Sequence, residues 1–318
     1  MKKLSFVIPC YGSQNTIGTV VDEIVNTVTA HGGYDYEIIL VNDSSPDGVF
    51  AVITELAEKN PHILGIDLAS NFGQHSAIMA GLGYVSGDIV VCLDDDGQTP
   101  ANEMFSLIDK LGDFDLVFAE YKNKQHSGFR NFGSKVNDKM AQWLINKPKD
   151  LKIMSYFACK RFVIDEVLRY PNPFPYVSGL LLRVTGKVTN VEVNHRERLE
   201  GRSGYSLGKL LLLWVNGFTS FSVKPLRIAT FMGTFTAIIG FLYGLYIIIN
   251  KLLNPLAPLG YSSTMAVLLF VGGMLMLMLG MIGEYVGRIY ISINRSPQYV
   301  VRKTVGHGEK KNEEKEKV

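Results

Sequence analysis

Ile89-Val90-Val91-Cys92-Leu93-Asp94-Asp95-Asp96-Gly97-Gln98 is the stretch from which the fold is read. Five apolar residues in a row have the pattern of a short buried strand, and three carboxylates follow at once. In open α/β sheets, ligands bind beyond the carboxyl ends of the strands, so these acids fall where a site would form. Two Asp one residue apart suit a hard divalent cation whose remaining positions go to water and substrate phosphate. Three negative charges together, with no neighbouring Lys or Arg to offset them, are otherwise unfavourable. A solvated acidic turn is the plainer alternative, and the flanking sequence has to separate the two.

Upstream, the same construction repeats. Residues 4–9 are an apolar strand ending in the turn Pro9-Cys10-Tyr11-Gly12, after which Ile17, Val20, Val21, Ile24, Val25 and Val28 recur at helical spacing. Residues 37–41 form a second buried strand that runs into Asn42-Asp43-Ser44-Ser45-Pro46-Asp47-Gly48. Val49, Val52, Ile53 and Leu56 stripe the next helix. A third strand, Ile63–Leu68, precedes Asn71-Phe72-Gly73-Gln74 and a helix of small residues over 76–84. Beyond the acids, 101–111 is helical and 116–119 is again a strand. This alternation predicts an α/β domain with a mostly parallel sheet covered by helices. No Gly-x-Gly-x-x-Gly follows the first strand and no Walker lysine loop occurs, which weighs against a dinucleotide oxidoreductase or a P-loop enzyme.

At 318 residues and 47% apolar composition, the chain can bury one large core or a core plus a membrane segment. A formal net charge of +2, with no basic stripe interleaved with aromatics, argues against a nucleic-acid partner. Cys10, Cys92 and Cys159 are odd in number and widely spaced, as reduced core cysteines are; no zinc spacing exists. Met1-Lys2-Lys3-Leu4 runs straight into a strand pattern, with no cleavable signal expected.

After residue 119 the texture changes. Lys122, Lys124, His126, Arg130 and Lys135 form a loosely spaced basic segment ahead of a helix near 131–145. It reads either as a solvated face or as a lip that meets phosphates. Asp150-Leu151-Lys152-Ile153-Met154 follows, then a mixed region to 182, then an alternating edge-strand pattern over 187–195. A polar loop, Arg196-Glu197-Arg198-Leu199-Glu200-Gly201-Arg202-Ser203-Gly204-Tyr205-Ser206, precedes a broad apolar face of Leu207, Leu210, Leu211, Trp214, Val215 and Phe218 suited to the headgroup plane. Residues 228–250 and 264–283 are uncharged and long enough to span a bilayer, which takes about 20 residues. Arg227 precedes the first span; Arg288, Arg295, Arg302 and Lys303 follow the second; the loop between them carries only Lys251. The positive-inside rule then places the α/β domain and the C-terminus in the cytoplasm. The final Lys/Glu run, 308–318, reads as disordered.

In order, these motifs resemble the family-2 glycosyltransferases that charge a polyprenyl phosphate carrier, the bactoprenol glucosyltransferase and dolichol-phosphate-mannose-synthase group. Val7-Ile8-Pro9-Cys10-Tyr11 is similar to the family's opening strand and turn, and residues 40–48 to its nucleotide-base loop. Asn71-Phe72-Gly73-Gln74 and Leu93-Asp94-Asp95-Asp96-Gly97-Gln98-Thr99-Pro100 are similar to its third and fourth motifs, the latter with the Asp-x-Asp. Asp150-Leu151-Lys152-Ile153-Met154 resembles the segment that supplies a catalytic carboxylate. Phe221-Ser222-Val223-Lys224-Pro225-Leu226-Arg227 and Gly283-Glu284-Tyr285-Val286-Gly287-Arg288 bracket the hairpin as in bacterial members. The chain departs from the pattern at Gly12, Ser13 and Gln14, where Asn-Glu-Glu is usual, and at Asn42, Asp95, Gly97 and Gly204, which bears on the donor base and sugar.

The resemblance implies a GT-A-like nucleotide-sugar-binding domain over 1–206, an amphipathic juxtamembrane segment over 207–227, a membrane hairpin over 228–291 and a cytoplasmic tail over 292–318. It implies inverting, metal-dependent transfer from a nucleotide diphosphate sugar, UDP-glucose or a UDP-N-acetylhexosamine, to polyprenyl (undecaprenyl) phosphate for cell-envelope glycans. Asp94 and Asp96 would hold Mg2+ or Mn2+, Asp96 first. Asp95 points to the other side of an extended chain and is not expected as a ligand. Pro9, Tyr11, Asp43, Asp94, Asp96 and Gln98 would bind the donor. Asp150 would serve as catalytic carboxylate, or position the acceptor, since a phosphate acceptor is already ionised. Arg130, Arg196, Arg198, Arg202 and Ser203 would take the acceptor phosphate. The partners expected are the nucleotide sugar, the lipid and the inner or plasma membrane, with multi-pass topology, both termini cytoplasmic, and a homo-tetramer. A membrane-anchored nucleotide-sugar scaffold without catalysis and a processive polysaccharide synthase are the alternatives. The synthase would carry a Gln-x-x-Arg-Trp signature, which is absent.

Overall fold

The computed structural model describes residues 1–121, 142, 147–194, 224–254, 260–294 and 296–306. They fall into two compact units, Met1–Tyr205 with Arg295–Val318, and Ser206–Asn294.

The first unit is built on β1 (Lys2–Cys10), α1 (Ile17–His31), β2 (Tyr34–Asn42), α2 (Val49–Lys59), β3 (Ile63–Leu68), α3 (Gln74–Leu82), β4 (Ile89–Cys92), α4 (Met104–Lys110) and β5 (Leu116–Tyr121). Further along come β6 (Phe157–Lys160), α5 (Arg161–Val167), α6 (Val177–Val184), β7 (Val188–Val193) and, after the hairpin, β8 (Val301–Gly306). One eight-stranded sheet results, in the order β7-β5-β6-β4-β1-β2-β3-β8. β1 pairs in parallel with both β2 and β4, so the strand order reverses between β1 and β4. Such a switch point opens a crevice beyond the carboxyl ends of the strands.

The central strands carry continuous apolar runs, at 6–8, 38–41 and 89–92, because helices cover both faces. Phe6, Ile8, Ile38 and Leu40 pack with Ile17, Val20, Val21 and Ile24 of α1 in one core cluster. Val7 and Val41 face the other way, toward α3. A Cβ on Gly81 would meet Val7 Cγ1 at 2.6 Å and Val41 Cγ2 at 3.0 Å, so the small-residue run of α3 lets this helix lie close on the sheet.

Two strands run against the rest. β6, Phe-Ala-Cys-Lys, is inserted antiparallel between β4 and β5. Four residues are too few for a periodicity, which is why the sequence shows only a mixed region there. β8 pairs antiparallel with β3. Within 292–318, expected from the sequence as a cytoplasmic tail, residues 301–306 form this strand and close the sheet. The physical reason is the edge of β3, whose free N–H and C=O groups would otherwise be left open to water or another chain. Val305 packs beside Gly65, where any Cβ would come within 2.4 Å of Ile53 Cγ2 and 2.6 Å of Val305 Cγ2. Arg302 adds contacts to Asp67 Oδ2 (3.4 Å) and the Ala69 carbonyl (2.9 Å). Residues 307–318 lie outside the described residues, as does 255–259.

The second unit holds α7 (Lys224–Leu253) and α8 (Tyr261–Ile293). Their large apolar side chains, Phe231, Phe235, Phe241, Leu268 and Phe270 among them, are exposed. Both helices are long and apolar enough to cross a membrane, over Ala229–Asn250 and Phe270–Ile293. The second window extends beyond the 264–283 expected from the sequence. Glu284 looks there like a stop, yet Arg288 Nη2 pairs with its Oε1 at 2.8 Å one turn on, and the helix continues. The amphipathic stretch expected over 207–218 and the helix expected near 131–145 are outside the described residues, except for Gln142.

Candidate active site

Four parallel strands end in polar residues on the same side of the sheet: β1 at Pro9 to Gly12, β2 at Asn42 and Asp43, β3 at Asp67, and β4 at the acids. Hydrogen bonds between these loops set the site.

Asp95 is used inward. Its Oδ2 accepts from the Tyr11 N–H at 2.8 Å and its carbonyl accepts from Thr16 Oγ1 at 2.7 Å, so it fastens the β1–α1 turn to the end of β4. Burial pushes its carboxyl up, and the neighbouring Asp96 charge adds to this. Asp94 and Asp96 are left on the other side of the chain. Asp94 Oδ1 accepts from Gln74 Nε2 at 3.0 Å and Oδ2 from the Ser155 hydroxyl. Asp96 Oδ1 takes the Gln98 N–H at 3.0 Å, which curls the turn after the acids. Tyr121, at the end of β5, has its phenol pushed well above the usual range by burial and by the charges of Asp94 and Asp96. It therefore lies within the field of both.

On the β2 side of the crevice, Asp43 is 3% exposed. Its two oxygens accept from the backbone N–H groups of Phe72 (2.7 Å) and Gly73 (2.8 Å), and burial, partly offset by those bonds, raises its pKa. The base contact expected of Asp43 is thus preceded by a loop contact: the carboxylate holds the segment ahead of α3. Asn42 bridges Asp67 Oδ1 (2.7 Å) and the Ser45 N–H (3.1 Å). Ser45 Oγ accepts from the Gly12 N–H, and Asp47 and Gln14 complete the lacing between the first two loops. Tyr11 projects from this floor with 55% of its surface free, beside Pro9.

Asp150 sits exposed in a turn before the 151–156 segment that carries Ser155. That segment is pinned to β7 by Asn190, which accepts from the Lys152 N–H at 2.8 Å and donates to its carbonyl at 2.7 Å. Arg130, Arg196, Arg198, Arg202 and Ser203 lie outside the described residues. Ser155 and Tyr121 are site residues that sequence reasoning did not single out, for neither stands in a motif or a charge cluster. Gln74 stands in the 71–74 motif, but its bond to Asp94, 20 residues on, leaves no local signal.

Among the described residues, no three His, Cys, Asp or Glu side chains gather into a metal cage. Asp94 and Asp96 still fit Mg2+ or Mn2+, because such ions in phosphate sites take one or two carboxylates and fill their remaining positions from phosphate and water. Gln74 and Ser155 orient Asp94 as outer-shell donors orient a ligating carboxylate.

Residues 5–169 match glycosyl transferase family 2, and residues 224–289 match the GtrB C-terminal hairpin. A bactoprenol glucosyl transferase of SfII prophage origin from Shigella flexneri is 33% identical over 317 residues, covering 95% of this chain and 98% of its own. The undecaprenyl-phosphate 4-deoxy-4-formamido-L-arabinose transferase of Klebsiella pneumoniae is 32% identical over 321 residues, covering 100% and 98%. Among solved structures, glucosyl-3-phosphoglycerate synthase from Mycobacterium tuberculosis, held with Mn2+, UDP-glucose and phosphoglyceric acid, aligns with TM-score 0.50 at 19% identity over 68% of this chain and 79% of that one. This last likeness shows the shared α/β fold. The hairpin match and the two exposed apolar helices associate the chain with a membrane.

Proposed function

Because the chain belongs to glycosyl transferase family 2 and is a glycosyltransferase, we propose that it transfers a hexose from a uridine diphosphate sugar to polyprenyl phosphate at a membrane surface, inverting the anomeric carbon. The observation that carries this is the pair Asp94 and Asp96 at the β1/β4 switch point, set beside the Pro9–Tyr11 turn, in a chain whose full-length relatives are named for bactoprenol and undecaprenyl-phosphate acceptors. UDP-glucose and a UDP-N-acetylhexosamine are the donors proposed.

Pro9, Tyr11 and Asp43 form the floor for base and ribose, while Gln98 and Asp96 border the diphosphate. A divalent cation, Mg2+ or Mn2+, would neutralise charge developing on the leaving diphosphate. Asp96 and Asp94 would hold it. A phosphate oxygen of the acceptor attacks the anomeric carbon as the bond from that carbon to the diphosphate oxygen breaks, giving the sugar phosphodiester and UDP. The acceptor needs no strong base, being ionised already, so Asp150 would position it rather than take a proton. Arg198 and Arg202, with Arg130, Arg196 and Ser203 beside them, would pair with the acceptor phosphate; guanidinium forks match that geometry.

A polyprenyl chain cannot leave the bilayer cheaply, at about 0.8 kcal/mol per buried CH2, so the enzyme must meet it at the headgroups. The hairpin and the basic residues flanking it support a multi-pass inner-membrane protein with the catalytic unit and both termini cytoplasmic. A tetramer completes the proposal.

The test incubates the purified full-length protein with radiolabelled nucleotide sugars and undecaprenyl phosphate, followed by lipid extraction. Label on a single-sugar lipid, lost with chelator and in Asp96→Ala, is expected. Label on polymer, or none on lipid with any donor, overturns the reading. A detergent-corrected mass of one chain would refute the tetramer, and selective loss of acceptor KM in Arg198→Ala or Arg202→Ala supports the phosphate site.

A further inference from the structure

Asp67, near the end of β3, is 4% exposed. Its Oδ1 accepts from Asn42 Nδ2 on β2 at 2.7 Å, and its Oδ2 faces Arg302 Nη1 on β8 at 3.4 Å. Nη2 of the same guanidinium donates to the Ala69 carbonyl at 2.9 Å, which holds the fork at the end of β3. Arg302 thus supplies the positive charge beside this buried carboxylate. It does so from beyond the hairpin in sequence, whereas Asp67, Ala69 and Asn42 all precede the hairpin.

The connection continues into the crevice. A carboxylate can only accept, so Asp67 takes the NH2 side of the Asn42 amide and leaves the amide oxygen for the Ser45 N–H, at 3.1 Å. That bond spans Ser44, whose φ of 51° lies in the left-handed region that a residue with a Cβ enters at a cost. Ser45 Oγ in turn accepts from the Gly12 N–H at 2.8 Å, in the turn that presents Tyr11. Arg302, Asp67, Asn42 and Ser45 therefore link the strand beyond the hairpin to the Pro9–Gly12 turn. Without the guanidinium, the Asp67 carboxylate would gain by turning toward water, and Asn42 would lose the partner that fixes its amide. We infer that Arg302 is a positioning residue for the nucleotide: through Asp67 and Asn42 it sets the Ser45 and Gly12 loops that floor the donor crevice. The inference rests on the donor reading above, and it makes donor binding depend on a segment that follows both long apolar helices in the chain.

Calorimetry with UDP and Mn2+, and transfer kinetics with UDP-glucose and undecaprenyl phosphate, test it on the full-length protein in detergent. Arg302→Ala is expected to raise the Kd for UDP and the KM for UDP-glucose about fivefold, the worth of one hydrogen bond, with the KM for the lipid within twofold. Lys303→Ala is the control on the same strand, since that ammonium lies instead over the Phe50 ring, 4.6 Å from its centroid. It is expected to keep UDP affinity within twofold. Asn42→Ala should weaken UDP as Arg302→Ala does, and the double variant should stay within twofold of Asn42→Ala alone, because both changes cut one connection. Additive losses, unchanged UDP affinity in Arg302→Ala, or an equal loss in Lys303→Ala overturns the assignment; the last would mean that any loosening of β8 suffices. Should Arg302→Ala fail to fold, Arg302→Gln, which keeps much of the stem, is read by the same criteria. If the wild-type protein binds no UDP, the donor reading falls and the assignment with it, whereas UDP binding that ignores Arg302 sinks the assignment alone.

Discussion

Ser155 donates its hydroxyl to Asp94 Oδ2 across 61 residues of sequence, tying the approach to β6 to the end of β4. The bond is charge-assisted and, with Gln74 on the other oxygen, leaves Asp94 little freedom to rotate. Ser155→Ala should therefore lower kcat/KM about 10- to 100-fold, the range seen when an outer-shell partner of a metal-binding carboxylate is removed. Raised Mn2+ should restore part of the loss. Steady-state rates against metal concentration check this, and a rate equal to wild type would show that Asp94 needs no orienting partner.

The three consecutive acids should separate cleanly by experiment. Asp96→Asn is expected to abolish metal-dependent transfer with thermal stability near wild type. Asp95→Ala, by contrast, removes the acceptor that fastens the Tyr11 N–H and the β1–α1 turn, a bond worth about 1 kcal/mol of stability. Thermal unfolding and transfer rates measured side by side distinguish the two, and a stable, inactive Asp95→Ala would contradict this division.

Closure of the sheet by β8 gives a prediction at Gly65. A methyl there collides with Ile53 and Val305 at once, and overpacking of this kind costs typically about 1–3 kcal/mol. Gly65→Ala should speed hydrogen exchange in 301–306 before it affects β1 or β4. Uniform exchange across the sheet would mean that β8 is not a separately detachable edge. Cutting the chain before 207 removes β8 as well, so a soluble fragment of that kind would lack an edge strand.

His75 makes stability depend on pH. Its folded pKa of about 4 lies below the ordinary value of 6.5, so the unfolded chain binds the extra proton and stability falls as pH drops through that window. Between pH 7 and pH 5 the loss from this one group is about 2 kcal/mol. His75→Gln should lack that part of the acid sensitivity. Thermal unfolding midpoints at the two pH values, wild type against variant, provide the measurement; identical slopes would place the titration elsewhere.

Much of this protein is written locally. Alternating apolar strands and helix stripes set the parallel half of the sheet, because burial on both faces requires continuous runs such as 89–93 and a 3.6-residue period such as that of α1. The hairpin is equally legible, since only length and lack of charge are needed to cross a bilayer. The order of the motifs, from Pro9-Cys10-Tyr11 to the acids, carried the family.

Tertiary structure decided the rest, and for one physical reason: a partner distant in the chain leaves no local pattern. Nothing around Ser155 or Tyr121 marks them as neighbours of Asp94. Asp43 reads as an open acceptor until the Phe72 and Gly73 N–H groups are folded onto it. Likewise residues 301–306, which read as part of the tail after the hairpin, become a strand because the β3 edge supplies the hydrogen bonds that the sequence alone cannot show.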